Sequence, residues 1–247
     1  MVSMRNYFAM TVVALALVAK LSQGIFLEEV KVVKKIPTTH KVVALTIDDG
    51  PNDKTTPELL KILQEKNVKV TMFVLGENVK EHPELVVRAA KDGHEIATHA
   101  YTHSYLTKMS QTECAAELDK TEAILKKIEI KPHLFRPPGG LYNDAVIKEA
   151  DKHCYTTILW SIDPKDWQRP SVEQVVKTVT TTVEPGSIVL LHDGQYPLPT
   201  PEAVGQIIDN LRAKGYIFVT ISELLNYYEV RETGLFSYLN NQKILLN

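Results

Sequence analysis

The chain has 247 residues, of which 44% are hydrophobic and 23% charged, and its formal net charge is -2. This composition suits one globular domain with a large core. No run of lysine or arginine exceeds a pair, which excludes an electrostatic footprint for nucleic acid. The two cysteines, Cys114 and Cys154, form no CxxC pair, which excludes a disulfide framework and a cysteine zinc site.

The N-terminus differs in character from the rest of the chain. Arg5 precedes an apolar run over residues 8–19, which is short for a membrane span and typical of a secretory signal. We therefore expect export, with residues 1–24 as a signal peptide or, because the cleavage site is poorly defined, an uncleaved membrane anchor. Residues 25–40 are interpreted as a linker, and residues 227–247 as a C-terminal tail without an assigned structure.

Residues 41–226 alternate short apolar runs with helical patterns, which is typical of βα units around a parallel sheet. The predicted strands are rich in Val, Ile, Thr or Phe and run from Val42 to Ile47, Val70 to Val74, Glu95 to Thr98, His133 to Arg136, Thr156 to Trp160, Ser187 to Leu191 and Ile217 to Val219. Helices are predicted from Thr56 to Lys66, Pro83 to Asp92, Ser110 to Ile128, Asn143 to Asp151, Ser171 to Thr181 and Pro201 to Lys214. We expect a single α/β domain, either a barrel or an open doubly wound sheet.

Two adjacent carboxylates, Asp48 and Asp49, follow the first predicted strand in the segment TIDDGP, residues 46–51. Adjacent side chains point in different directions, so one carboxylate can bind a cation while the other acts as a base. A solvated turn with a helix N-cap is the alternative. A calcium loop is disfavoured because the alternating spacing of its ligands is absent.

The third predicted strand runs into His99 and His103, two imidazoles at i and i+4. On one helical turn this spacing places both rings on the same face, within reach of a single ion. Two histidines and a carboxylate form a three-ligand set that leaves a coordination position open, as a hydrolytic metal requires. Coincidental spacing is the alternative, and the position beside the Asp48–Asp49 pair disfavours it.

Three further polar clusters follow later predicted strands: RPPGG at residues 136–140, DPKDW at 163–167 and HDG at 192–194. The first can aim a backbone N–H at an oxyanion, while Arg136 can hold a carboxylate ionised. A histidine oriented by an aspartate is the usual proton donor to an amine leaving group. Each cluster alone fits a surface turn, but five polar clusters at strand ends predict a catalytic edge.

These five motifs, in this order, resemble those of the polysaccharide deacetylase family, also called the NodB homology domain or carbohydrate esterase family 4. The resemblance covers residues 41–226 and implies a distorted (β/α)7 barrel. It also implies a divalent metal cofactor, usually zinc, with cobalt or nickel tolerated. The chain departs from the family at Gly139, where Tyr is common; glycine still supplies the backbone N–H, but the wall that contacts the sugar is expected to differ.

The resemblance implies a role for each matching residue. Asp48 is the expected general base, held by Arg136, and His192 the general acid, oriented by Asp166. The expected metal ligands are Asp49, His99 and His103, and the expected substrate contacts are Gly139, Gly140, Trp167 and Leu190.

The expected function is removal of N-acetyl groups from N-acetylglucosamine in a cell-wall polysaccharide. Peptidoglycan is favoured because an export signal precedes a single small domain, while chitin oligomers and acetylated xylan stay open. A glycan-binding barrel without activity is the alternative from another class, and it has no need for an acid and a base around one ion. Another barrel metallohydrolase is disfavoured because HExxH is absent.

Overall fold

The computed structural model describes residues 31–229, and a single curled parallel sheet organises them. Its strands are β1 Val32–Val33, β2 Val42–Asp48, β3 Thr71–Val74, β4 Glu95–Thr98, β5 Leu134–Phe135, β6 Thr156–Ile158, β7 Ser187–His192 and β8 Ile217–Phe218. The strand order is β1-β6-β5-β4-β3-β2-β7, and β8 pairs with β2. The helices are α1 Thr55–Lys66, α2 Gly76–Glu81, α3 Pro83–Lys91, α4 Gln111–Lys127, α5 Asp144–Lys152, α6 Val172–Thr182, α7 Thr200–Ala213 and α8 Ile221–Leu225.

Isolated bridges bring the two ends of the sheet together. Ile162, beyond the end of β6, bridges to Val189 of β7, and Lys35, beyond β1, bridges to Ser187 at the start of β7. The sheet therefore curls into a barrel whose last contact is a pair of bridges rather than a full ladder. This confirms the predicted distorted (β/α) barrel in place of an open doubly wound sheet.

Strand β2 lies at the centre of the core and is buried along its whole length. Val43, Leu45 and Ile47 pack into a cluster with α1 and α7, whereas Val42 and Ala44 pack into a second cluster on the other face. Alternate residues of a strand point to opposite faces, so a strand covered on both faces is continuously apolar. The strand ends at Asp48, so this predicted site residue is attached directly to the buried core.

The described elements include all seven strands and six helices expected from the sequence, with three additions. Strand β1 lies within the predicted linker, where Val33 and Ile36 are fully buried. Helices α2 and α8 have six and five residues, too short for a 3.6-residue period to be recognised. The predicted signal or anchor and most of the predicted tail lie outside the described residues, and within residues 31–229 no helix is long and apolar enough to cross a membrane.

Candidate active site

The carboxyl ends of the parallel strands meet at one edge of the sheet, and register brings the predicted motifs together there. Asp48, the last residue of β2, is in register with His192, the last residue of β7. Strands β4 and β5 also end in register, so His99 and Arg136, which follow them, leave the sheet side by side. Residues far apart in the chain therefore become neighbours at this edge.

A cavity of about 460 Å³ opens at the edge. The predicted site residues that line it are Asp48, Asp49, His99, His103, Gly139, Trp167, Leu190 and His192. The others lie behind its wall: Arg136 and Asp166 are fully buried, and Gly140 packs against the ring of Trp160. The structure thus brings every predicted site residue to one place, in two layers.

Asp49, His99 and His103 form a compact group of potential metal ligands. One ligand atom from each lies within 4.8 Å of the others. The Asp49 Oδ1 atom is 3.4 Å from His99 Nε2 and 3.5 Å from His103 Nε2. That oxygen is buried and accepts no hydrogen bond within the described part of the chain. Burying a charged oxygen without a partner is costly, so the group fits a bound cation.

The two histidines do not lie on a helical turn, which corrects the prediction from their spacing. Ala100 has a left-handed backbone with φ 68°, and the residues around His103 form bends before the 3-10 helix that begins at Leu106. The amide of Gly76 donates to the carbonyl of Ala100 at 3.0 Å and holds this conformation. Tertiary contacts, rather than helical geometry, bring the rings to centroids 5.3 Å apart.

Asp49 also has a left-handed backbone, with φ 73°. The side-chain amide of Asn78 donates to its carbonyl oxygen at 2.7 Å. Gly194 lies directly against it, because a Cβ at that glycine would stand 2.4 Å from the Cβ of Asp49. These contacts direct the Asp49 carboxylate toward the two histidines. Asp48 Oδ2 also lies 3.7 Å from His99 Nε2, so both carboxylates face that nitrogen.

His99 is held as a neutral imidazole. Its Nδ1–H donates to the carbonyl oxygen of Arg136 at 2.7 Å, which leaves the unprotonated Nε2 facing Asp49. Burial lowers the pKa of His99, against the opposing charges of Asp48 and Asp49. The imidazole therefore offers a lone pair without first losing a proton.

Asp48 is fixed by the fully buried Arg136. The guanidinium donates to Asp48 Oδ1 at 2.5 Å and to the hydroxyl of Thr46 at 2.9 Å. It also donates to the carbonyls of Ile158 and Leu159 and stacks on a neighbouring ring. The guanidinium thus fixes one oxygen of Asp48, while the second oxygen, Oδ2, lies 3.7 Å from His99 Nε2 at the cavity.

The partly buried His192 forms a second pair with the fully buried Asp166. The Nδ1–H of His192 donates to Asp166 Oδ1 at 2.8 Å, while the His192 backbone amide and the Thr200 hydroxyl donate to Asp166 Oδ2. Burial alone would lower the pKa of His192, but the hydrogen bond to Asp166 and the charges of Asp166, Asp48 and Asp49 raise it to about 9. The imidazole is protonated at neutral pH and presents Nε2 to the cavity.

Asp193, adjacent to His192 in sequence, does not orient it. Its side chain is buried against Gly50, accepts from the Thr56 hydroxyl at 2.5 Å, and has one oxygen with no partner among residues 31–229. Burial raises the pKa of Asp193 to about 7, against the Thr56 hydrogen bond and with help from the Asp49 charge. It therefore ties the end of β7 to the loop after β2.

Glu117 of α4 is a site residue that the sequence reasoning missed. Its Oε2 atom accepts from the amides of Tyr101 and Thr102, at 3.2 and 2.8 Å, and from the Thr102 hydroxyl at 3.0 Å. It thus holds the loop between His99 and His103. The available signal was spacing, because Glu117 lies on the same helix face as the buried residues Cys114, Leu118, Thr121 and Leu125.

A carboxylate with two histidines, a second carboxylate held by arginine and a protonated His–Asp pair, all around one cavity at the carboxyl edge of a distorted barrel, define a metal-dependent hydrolase. The comparisons with known proteins agree. A family profile described as polysaccharide deacetylase matches residues 35–158. A peptidoglycan-N-acetylglucosamine deacetylase of Bacillus cereus strain ATCC 14579 is 40% identical over 196 residues, which cover 78% of this chain and 92% of the relative.

Two solved structures extend the similarity to the fold. A peptidoglycan N-acetylglucosamine deacetylase in complex with 4-naphthalen-1-yl-N-oxidanyl-benzamide superposes with a TM-score of 0.78 at 33% identity, covering 85% of this chain and 100% of the other. A pseudoenzyme of the same CE4 family from Bacillus anthracis superposes with a TM-score of 0.75 at 32% identity, covering 81% and 70%. The chain belongs to the polysaccharide deacetylase family, which is metal-dependent. The predicted family and enzyme class, a polysaccharide N-deacetylase, are confirmed.

Proposed function

We propose that this protein hydrolyses the N-acetyl groups of N-acetylglucosamine residues in peptidoglycan, releasing acetate and leaving a free amine on the sugar. The observation that carries the proposal is the cavity in which Asp49, with a buried oxygen that accepts no hydrogen bond from residues 31–229, faces two histidines beside Asp48 and the protonated His192. The similarity to a peptidoglycan deacetylase over most of both chains supports the choice of substrate.

The residues present fit a divalent cation. Asp49, His99 and His103 would hold it, and two imidazoles with one carboxylate are a donor set suited to zinc, with cobalt or nickel as substitutes. When bound, the cation supplies Lewis-acid chemistry, polarising an acetamide carbonyl and lowering the pKa of a water molecule. The buried Oδ1 of Asp49, which accepts no hydrogen bond from the described residues, would then gain a partner.

Asp48 is proposed as the general base. Arg136 donates to its Oδ1, so the remaining oxygen can accept the proton of the attacking water. The tetrahedral oxyanion needs a hydrogen-bond donor, and we assign the backbone N–H of Gly139, which lines the cavity. The N–H of Gly140 already donates to the carbonyl of Pro137 at 2.8 Å, so Gly140 is assigned to shaping the wall.

His192 is proposed as the general acid. The C–N bond of an acetamide breaks only if the departing nitrogen is protonated, and His192 holds its proton at neutral pH. Asp166 fixes the ring through Nδ1 and so directs Nε2 to the nitrogen. Trp167 and Leu190, on the cavity wall, would enclose the acetyl methyl group.

The place of action is part of the proposal. A peptidoglycan substrate lies outside the cytoplasmic membrane, and the predicted signal or anchor in residues 1–24 would deliver the enzyme there. Chitin oligomers and acetylated xylan carry the same kind of acetyl group and are the competing substrates. A glycan-binding role without catalysis is the second candidate function, because a pseudoenzyme shares this fold at 32% identity.

The test is acetate release from N-acetylglucosamine pentamer and from purified peptidoglycan in parallel, with metal-stripped protein, with and without zinc. Zinc-dependent release that is faster from peptidoglycan is expected. Release only from the pentamer would move the substrate to chitin oligomers. No release from either polymer by protein with zinc bound would contradict the enzymatic proposal and favour glycan binding.

A further inference from the structure

Tyr105 stands out among the residues of the cavity because no catalytic or metal-binding role accounts for it. It lines the cavity and is 43% exposed, although a large aromatic ring in water is unfavourable. The next residue, Leu106, is only 1% exposed and anchors this segment in the core. The ring is therefore held at the cavity mouth by a buried neighbour.

The ring of Tyr105 occupies the space above Gly139. A Cβ at Gly139 would stand 2.9 Å from Tyr105 Cε1, closer than a real Cβ approaches another atom, and 3.6 Å from Cδ1, in ordinary contact. Gly139 also has φ 62°, in the left-handed region that glycine adopts without strain. Any side chain at position 139 would therefore displace the Tyr105 ring or alter the loop.

The ammonium of Lys108 lies 5.3 Å from the centroid of the same ring. A cation at this distance is attracted to the aromatic face and restrains the ring from rotating into solvent. Gly139 at the edge and Lys108 over the ring thus hold Tyr105 as a preformed surface. A preformed surface binds a ligand without losing further conformational entropy.

A pyranose ring has a face of C–H bonds, which is apolar and complementary to the electron-rich face of an aromatic ring. We propose that Tyr105 is a specificity-determining residue whose ring, seated over Gly139, stacks against a pyranose unit of the glycan at the cavity mouth. This inference rests on the proposed function and adds the residue that binds the sugar. The Tyr105 ring forms the part of the cavity wall that a side chain at position 139 would otherwise occupy.

The first experiment measures kcat and KM for acetate release from the better of the two polymers, using wild type, Tyr105→Ala and Tyr105→Phe loaded with zinc. Loss of one aromatic contact is expected to raise KM by roughly 3- to 10-fold with kcat within about 2-fold. Tyr105→Phe keeps the ring and is expected to restore most of the affinity. Tyr142→Ala is the matched control, since that ring is 40% exposed but does not line the cavity.

A double-mutant cycle tests the link to Gly139. Gly139→Ala is expected to raise KM in wild type, and to add little in the Tyr105→Ala background, because the ring that it displaces is already gone. The backbone strain at position 139 is present in both backgrounds and cancels in the cycle. Independent effects of the two substitutions on KM would overturn the coupling.

Failure of this inference and failure of the proposed function give different experimental results. If wild type releases no acetate, the enzymatic proposal fails, and the same variants are compared by calorimetric titration with N-acetylglucosamine pentamer. Weaker binding by Tyr105→Ala than by Tyr105→Phe would still support the stacking surface. Equal KM or equal affinity in these two variants, or a wild type that does not bind the pentamer, would overturn it.

Discussion

The histidines on the two sides of the cavity differ in the carboxylates that surround them. On the β2–β4 side, Asp49 presents to two histidines a buried oxygen that accepts no hydrogen bond from residues 31–229, and burial lowers the pKa of His99. On the β7 side, Asp166 accepts three hydrogen bonds, and its charge helps to raise the pKa of His192 to about 9. One residue type is thus held neutral at His99, where it suits a metal ligand, and protonated at His192, where it suits an acid, according to burial and the nearest carboxylate.

The largest expected effects come from substitutions that remove either the acid and base or a metal-binding residue. His192→Ala and Asp48→Asn remove the acid and the base, and each is expected to lower kcat by about 10²–10⁴-fold while the protein still binds zinc. His99→Ala is expected to lose both activity and zinc. Metal content after gel filtration and steady-state rates distinguish the two patterns, and equal zinc loss in all three variants would refute the division.

Substitutions of Glu117 test how far zinc affinity depends on the loop between His99 and His103. Glu117→Leu removes the acceptor that holds the loop between the two histidine ligands, and zinc affinity is expected to fall about 10–100-fold. Glu117→Gln keeps an oxygen that can accept the same hydrogen bonds and should stay near wild type. Competition with a chromogenic chelator measures both; equal affinities of the two variants would mean that the loop does not depend on Glu117.

Asp166→Asn tests whether Asp166 keeps His192 protonated, and the measurement is the pH profile of kcat/KM. The carboxylate raises the pKa of His192 above the ordinary 6.5, so the acid form persists at neutral pH and is lost as pH rises through about 9. Without that charge the pKa falls, and the alkaline limb of kcat/KM should move down by about one pH unit or more. An unchanged alkaline limb in the variant would assign that limb to another group.

The smallest expected effect is on stability. Zinc at roughly 100 times its Kd should raise the Tm of wild type by about 5–10 °C, since it binds the folded site alone. Asp49→Asn should lose most of this increase, whereas His192→Ala, which leaves the ligands intact, should keep it. Differential scanning fluorimetry with zinc and with a chelator measures the contrast, and an equal increase in both variants would place the cation elsewhere.

The strands and most helices of this protein are predictable from its sequence, because apolar runs and 3.6-residue periods are local signals. The gathering of the polar motifs is predictable too, because parallel strands end at one edge of a sheet. Strand β1 was not predictable, since its two residues are ordered by pairing with β6, more than a hundred residues away. Helices α2 and α8 are likewise defined by what they pack against.

Within the site, the sequence alone determined which residue types follow each strand, and motif resemblance suggested their roles. Only the tertiary structure decided the contacts that no motif implied: Asp193 packs against Gly50, Glu117 holds the histidine loop, and Tyr105 covers Gly139. His99 and His103 meet through a left-handed Ala100 rather than a helical turn. The direction of a side chain at a strand end depends on backbone torsions set by long-range contacts, and no local pattern encodes those contacts.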